Sequence, residues 1–232
     1  MTQTELSNGT KNGVLLRETI LGGQDGLVNV LGVVLGVAAA TTDQKIILVS
    51  GLAATFAESI SMGAVAYTST KAARDFYHSM LQKEAKEIEQ EPHLEKEEIL
   101  TIYKKKGFKG PLLKSIVNHI TSDKKLWLET MMAEELRLYP DDYQHPLKSA
   151  LVVGFSSVLG SFVPLVPFFF TTGTTAMFTA LGTATLVLFA GGSMKAKFTI
   201  GDWKRSGVEM VLIGLAAALA GFVIGTLLGA TP

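Results

Sequence analysis

The sequence contains no cysteine. That excludes disulfides, thiolate zinc sites and a cysteine nucleophile. Charge is scarce as well: 18% of the 232 residues are charged, against about 25% in a typical soluble domain. The 21 basic and 21 acidic residues cancel, so no net charge points to nucleic acid as a partner. No nucleotide-binding fingerprint is present, which argues against ATP-driven pumping. What the chain does have is apolar surface: 47% hydrophobic residues and a mean hydropathy of +0.31. Its few charges gather in the middle and are sparse elsewhere. This is the pattern of a membrane protein with a polar insert.

Five apolar stretches, approximately Ile20–Ala40, Ile46–Ser69, Leu147–Phe170, Thr171–Gly192 and Val208–Ala230, are long enough to cross a bilayer. A helical crossing needs about 20 residues. Backbone groups in hydrocarbon must pair internally, so the stretches are predicted to be helices. The short alternating strands of a β-barrel are missing. No cleavable signal peptide is evident, because the first 19 residues are polar and the first stretch carries Asp25 and Asn29. The predicted fold class is an all-α membrane protein with five transmembrane helices and a helical insert between helices 2 and 3. Its expected parts are residues 1–70, 71–146 and 147–232.

Basic residues set the orientation. Of the 21, only Lys45 falls in the hairpin between helices 1 and 2, and none falls in the turn between helices 3 and 4. The other 20 share one side. A cytosolic N-terminus and insert, with the C-terminus outside, is therefore predicted. Short termini and loops favour a prokaryotic plasma membrane over a vacuolar one. Pro164 and Pro167 are read as the outer turn, Pro164–Thr172, between helices 3 and 4. Small residues recur every fourth position at Gly32/Gly36, Ala53/Ala57/Ser61 and Gly221/Gly225/Gly229. Such stripes serve close packing within one chain or a dimer seam.

The insert holds 14 acids and 13 bases. Lys71–Glu91 is predicted to continue helix 2, with Pro92 breaking it. Leu94–Lys106, Pro111–Ile120 and Lys124–Leu138 follow as helices, the last capped by Ser122 or Asp123 and ended by Pro140. Glu84 and Glu87 lie at i, i+3, with Glu91 a turn on, and Glu95 and Glu98 repeat the spacing. Glu135 can share a face with Met131 and Met132. Like charges so placed destabilise a helix by a few tenths of a kcal/mol unless neutralised, and a divalent cation would neutralise them. A solvated face with Lys83, Lys86 and Lys96 interleaved is the alternative, and the methionines alone read as core filler. His78, His93, His119 and His145 fit no Glu-x-x-His or His-x-x-x-His ligand pattern.

Three acids fall inside the spans: Glu209 opens the fifth, at the interface near a helix N-terminus that favours negative charge, and two lie deeper. Asp25 lies in helix 1 and Glu58 near the middle of helix 2, with Met62 one turn later. A charge at the bilayer centre costs about 2.5–3.5 kcal/mol on insertion scales, so such residues usually face an interior pathway. Desolvation favours a neutral carboxyl and a nearby cation the ionised one. A membrane carboxylate can thus exchange a proton for a metal ion. The alternatives are that Asp25 caps backbone near a helix end and that Glu58 makes a structural hydrogen bond to Ser61, Thr55 or a neighbouring helix.

The run Arg17-x-x-Ile20-Leu21-Gly22-Gly23-Gln24-Asp25-Gly26-Leu27-Val28, ending Leu35-Gly36-Val37, resembles the first helix of vacuolar iron transporters. Ile60-Ser61-Met62-Gly63 resembles the Ser-Met stretch of their second helix. The resemblance covers essentially the whole chain. It implies five membrane helices, a cytosolic metal-binding domain between helices 2 and 3, and a homodimer whose helix 1–helix 2 seam is the ion path. It also implies export of Fe²⁺ from the cytosol in exchange for protons. By the same resemblance Asp25 and Met62 match pathway residues. Glu84, Glu87, Glu95, Glu98 and Glu135 match the insert's glutamate ligands, and Met131 and Met132 its paired methionines. The family's pathway glutamate falls at Ala54 here, whereas this chain has Glu58 one turn along the same face.

The sequence thus points to a homodimeric exporter of Fe²⁺ rather than an enzyme, with Mn²⁺, Co²⁺ or Zn²⁺ as further ions. Thioether ligands argue against a Mg²⁺ or Ca²⁺ specialist. The partners expected are the lipid bilayer, a second copy, metal ions and protons, and no nucleic acid. The rivals are a membrane-anchored metal-binding or sensor protein without transport, and an uncoupled cation channel.

Overall fold

The computed structural model describes residues 3–139, 145–198 and 201–229, which contain helices and no strand. In order they are α1 (Gln3–Ala40), α2 (Gln44–Gln90), α3 (Pro92–Lys105), α4 (Gly110–Ser122), α5 (Lys124–Glu134), α6 (Pro146–Leu165), α7 (Pro167–Phe170), α8 (Gly173–Phe198) and α9 (Trp203–Gly229). Five of them, α1, α2, α6, α8 and α9, are long and apolar enough to cross a membrane. The chain divides into two compact units, residues 1–67 with 146–232, and residues 68–145. α2 runs without interruption through the boundary.

In the first unit α1 is the central element. Its Leu27, Val30, Leu31, Val34 and Leu35 are buried with Phe168 and with Ala176, Ala180, Ala184 and Leu188 of α8. The glycine stripes explain how the helices come so close. A methyl group on Gly225 of α9 would overlap the Gly36 carbonyl of α1, and one on Gly221 would overlap that of Gly32. These two stripes therefore pack against each other within one chain. The Ala53/Ala57/Ser61 stripe of α2 is instead exposed. Large side chains such as Leu151, Phe155, Leu159, Leu212 and Leu219 also point outward, as expected where the surrounding solvent is hydrocarbon.

Several boundaries differ from the sequence reading. α1 begins at Gln3 rather than at the first apolar residue, since no proline lies between and a helix need not end where hydrocarbon does. α6 runs through Pro164 to Leu165, and only then does a separate short turn, α7, begin at Pro167. Gln44 Nε2 donates to the carbonyls of Phe168 and Thr171 and so ties this turn to the start of α2. Ala230, the expected end of the fifth span, lies outside the described residues.

In the second unit Pro92 occupies the first turn of α3, where its missing N–H would have no helical partner anyway. Asp123 caps α5, accepting from the Lys125 and Leu126 amides at 2.8 and 3.1 Å. The core is Ile88, Ile99, Leu113, Val117, Ile120, Trp127 and Met131. α5 stops at Glu134, short of the expected Leu138. Arg137 has a φ of 56°, and the Leu136 and Leu138 amides turn back to the carbonyls of Met131 and Met132. Pro140, the expected terminator, lies outside the described residues.

Candidate metal centre and membrane acids

Glu84 on α2, Glu95 on α3 and Glu135 just past α5 each bring one carboxylate oxygen within 4.8 Å of the others. Glu84 and Glu95 are 4% and 7% exposed, while Glu135 lies open at the rim. Glu84 Oε1 and Glu95 Oε2 are buried with no hydrogen-bond partner. A buried carboxylate oxygen without a donor costs several kcal/mol in order of magnitude, unless a proton or cation reaches it.

The proton affinities reflect this crowding. Burial pushes the Glu84 carboxyl up to about 8, helped by its hydrogen bond to Glu95 and by repulsion from Glu95, Glu135 and Glu87. Desolvation, together with the charge of Glu98 and a hydrogen bond to it, lifts Glu135 to about 7 although the residue as a whole is exposed. Glu95 is also raised, chiefly by burial and against a lowering hydrogen bond from Glu84. The cluster thus holds protons near neutral pH that a divalent cation would displace.

The other insert residues fall around this centre. Glu98 and Glu135 share a surface cleft with Glu97, Thr101, Leu94 and Ile102. Glu87 is half-buried and pairs with Lys83 at 3.4 Å, so that part of the face is a solvated ion pair. Lys96 donates to Asn118 at 2.8 Å. Met131 is fully buried in the insert core, and Met132 is 2% exposed. The glutamate trio is the one group of three or more possible metal-binding His, Asp or Glu side chains among the described residues, and it contains no histidine.

The first unit brings the membrane acids together. Glu58 of α2 lies beside Asp25 of α1. Asn29, one turn beyond Asp25 on α1, donates its Nδ2 to Glu58 Oε2. Asp25, Glu58 and Met62 are half-buried and Asn29 is exposed. Neither Ser61 nor Thr55 is Glu58's recorded partner: the Thr55 hydroxyl donates to the Gly51 carbonyl at 2.8 Å. Glu58's neighbour is thus another helix. Asn29 was not among the expected site residues. Its only signal in the sequence is its position, i+4 from Asp25, on one face of an apolar helix.

Comparison with known proteins agrees with this architecture. The chain matches the profile of the VIT family over residues 16–226. It is 34% identical over 211 residues to Vacuolar iron transporter 2 of Oryza sativa subsp. japonica, covering 90% of this chain and 86% of that one. It is 31% identical to Vacuolar iron transporter 1 of Arabidopsis thaliana, covering 96% and 91% of the two chains. Vacuolar iron transporter of Plasmodium falciparum (isolate 3D7) is likewise 31% identical, with 92% and 82% covered. Members of the family are transporters rather than enzymes. With five membrane-length helices and a family match spanning nearly its whole length, the chain is an integral membrane protein that belongs to the VIT family.

Proposed function

We propose that the protein carries Fe²⁺ out of the cytosol in exchange for protons, with Mn²⁺, Co²⁺ and Zn²⁺ as further candidate ions. The observation that carries this reading is the Glu84–Glu95–Glu135 cluster, in which buried Glu84 and Glu95 each keep an unpartnered carboxylate oxygen. It is the chemistry of a site that binds a borderline dication and releases protons in doing so. The names of the relatives supply iron as the first ion to test.

In this reading the insert faces the cytosol and captures the ion, with Glu98 at its rim, Glu87 adding negative charge, and Met131 and Met132 as soft neighbours. Asp25, Glu58 and Met62 pass the ion across the membrane. Charge placement supports the topology, with 20 of the 21 basic residues on the proposed cytosolic side and the C-terminus outside. The same membrane acids support a homodimer. Asn29 is exposed and Asp25 and Glu58 are only half-covered in a single chain, a costly arrangement against lipid. The exposed small-residue stripe of α2 offers a second copy close approach.

The test is Fe²⁺ accumulation in sealed vesicles with and without a pH gradient. Coupled transport gives lumenal accumulation that follows the gradient. A binding or sensor protein gives saturation without accumulation, and an uncoupled channel gives flux indifferent to pH. Either of the last two results contradicts the proposal.

A further inference from the structure

Asn29 and Asp25 lie four positions apart on α1, so they share a face, and both meet Glu58 of α2. Around Asn29 the helix is otherwise apolar, with Leu27, Val28, Val30 and Leu31. A primary amide at membrane depth is unfavourable unless its donors and its oxygen are used. The bond to Glu58 uses one donor. The amide oxygen shares a carbon with that donor nitrogen, so it lies within one amide group of the two carboxyls.

We propose that Asn29 contacts the transported ion, its Oδ1 serving as a neutral ligand beside the carboxylates of Asp25 and Glu58. This rests on the transport reading above. Two carboxylates balance the charge of a dication, and the ion still needs further oxygens to replace the water it sheds. Charged-ligand count sets how tightly such a site holds its ion. A neutral amide completes the shell without the extra charge that would trap the ion. Between passages the amide N–H holds Glu58; when the ion arrives, the carboxylate turns to it and the amide presents its oxygen. The two ends of an amide are nearly the same size, so the exchange needs only a side-chain rotation.

The experiment uses the full chain carrying Glu84→Gln, Glu95→Gln and Glu135→Gln, so that bound Co²⁺ reports on the membrane acids. In this parent, Asn29→Leu, which keeps size and removes the oxygen, should weaken Co²⁺ binding at least about tenfold, the scale of one charge-assisted contact. Asn29→Asp should tighten Co²⁺ binding. In the otherwise wild-type chain, it should also slow metal flux in vesicles. Unchanged Co²⁺ affinity in Asn29→Leu overturns the proposal, as does a parent that binds no Co²⁺. If Asn29→Leu fails to fold, Asn29→Asp decides, and affinity no tighter than the parent's overturns it. Wild-type vesicles that move no metal contradict the transport reading instead, and the Co²⁺ titrations still decide whether Asn29 contacts the ion.

Discussion

Glu84 and Glu95, on either side of the Pro92 break, meet as two buried carboxyls with oxygens within 4.8 Å of each other, and each keeps a buried oxygen with no hydrogen-bond partner. The break at Pro92 lets Glu95 of α3 meet Glu84 of α2, one member of each i, i+3 pair. Burial and mutual repulsion raise the proton affinity of the pair, and under the proposed function a dication would displace those protons.

The first consequence is an inverted pH dependence of stability. Folded Glu84 and Glu135 hold protons up to about 8 and 7, whereas unfolded glutamate loses its proton near 4.5. Between these values the folded state binds more protons, so stability falls as pH rises. In chelator, the contribution is fully present below about pH 4.5 and is lost through pH 7–8. The thermal midpoint of the detergent-solubilised protein should therefore drop from pH 6 to pH 8, and added Fe²⁺ or Mn²⁺ should restore it at pH 8. Glu84→Gln should flatten the profile. A midpoint that rises over this range without metal contradicts the carboxyl cluster.

Metal binding to the insert should depend on the three converging glutamates. Changing Glu84, Glu95 and Glu135 together to Gln should weaken Mn²⁺ binding by roughly 100-fold or more, since each charged contact contributes about 1.5–3 kcal/mol. Glu87→Gln should cost far less, because Glu87 is engaged with Lys83. Isothermal titration of both variants separates the two cases. Equal losses would mean that the solvated face extends over the whole acidic cluster.

The α1–α9 seam should resist any side chain larger than hydrogen. Gly225→Val places branched carbon where the Gly36 carbonyl lies, an overpacking of about 1–3 kcal/mol or more. A clear fall in thermal midpoint is expected, with a smaller fall for Gly182→Ala, where no atom lies within 4 Å. Equal effects at the two positions would contradict the close approach of α1 and α9.

The absence of cysteine makes the proposed dimer simple to probe. A lone Ala57→Cys on the exposed face of α2 should form a disulfide-linked two-chain species in native membranes at low protein density. Leu219→Cys, exposed on α9, should not. The reverse pattern would move the seam away from the membrane acids.

The spans were legible because hydrocarbon thickness sets a length that local apolarity reveals. The helix breaks at Pro92 and the Asp123 cap were legible because each acts within one turn. Glu84 meeting Glu95 and Glu135 was visible only as spacing, since the partner helices are chosen by the core around Ile88, Ile99 and Trp127. The glycine stripes could not name their partner: small-xxx-small reads the same within a chain and between chains, and only the structure pairs Gly36 with Gly225. Asn29 read as a polar interruption because its meaning depends on Glu58 of another helix. The early end of α5 had no signal, because arginine is not a residue that announces a left-handed turn.

Glu58 is where metal and proton would be exchanged, so it tests the account most directly. Glu58→Gln keeps the shape and a hydrogen-bonding end group but cannot ionise. The measurement is initial Fe²⁺ flux into sealed vesicles under an imposed pH gradient, beside Mn²⁺ binding to the same protein. The account predicts that flux is abolished while the insert still binds metal with wild-type affinity, and that Ala54→Glu with Glu58→Ala recovers part of the flux on the same helical face. Wild-type flux in Glu58→Gln, with the same dependence on pH, would contradict it.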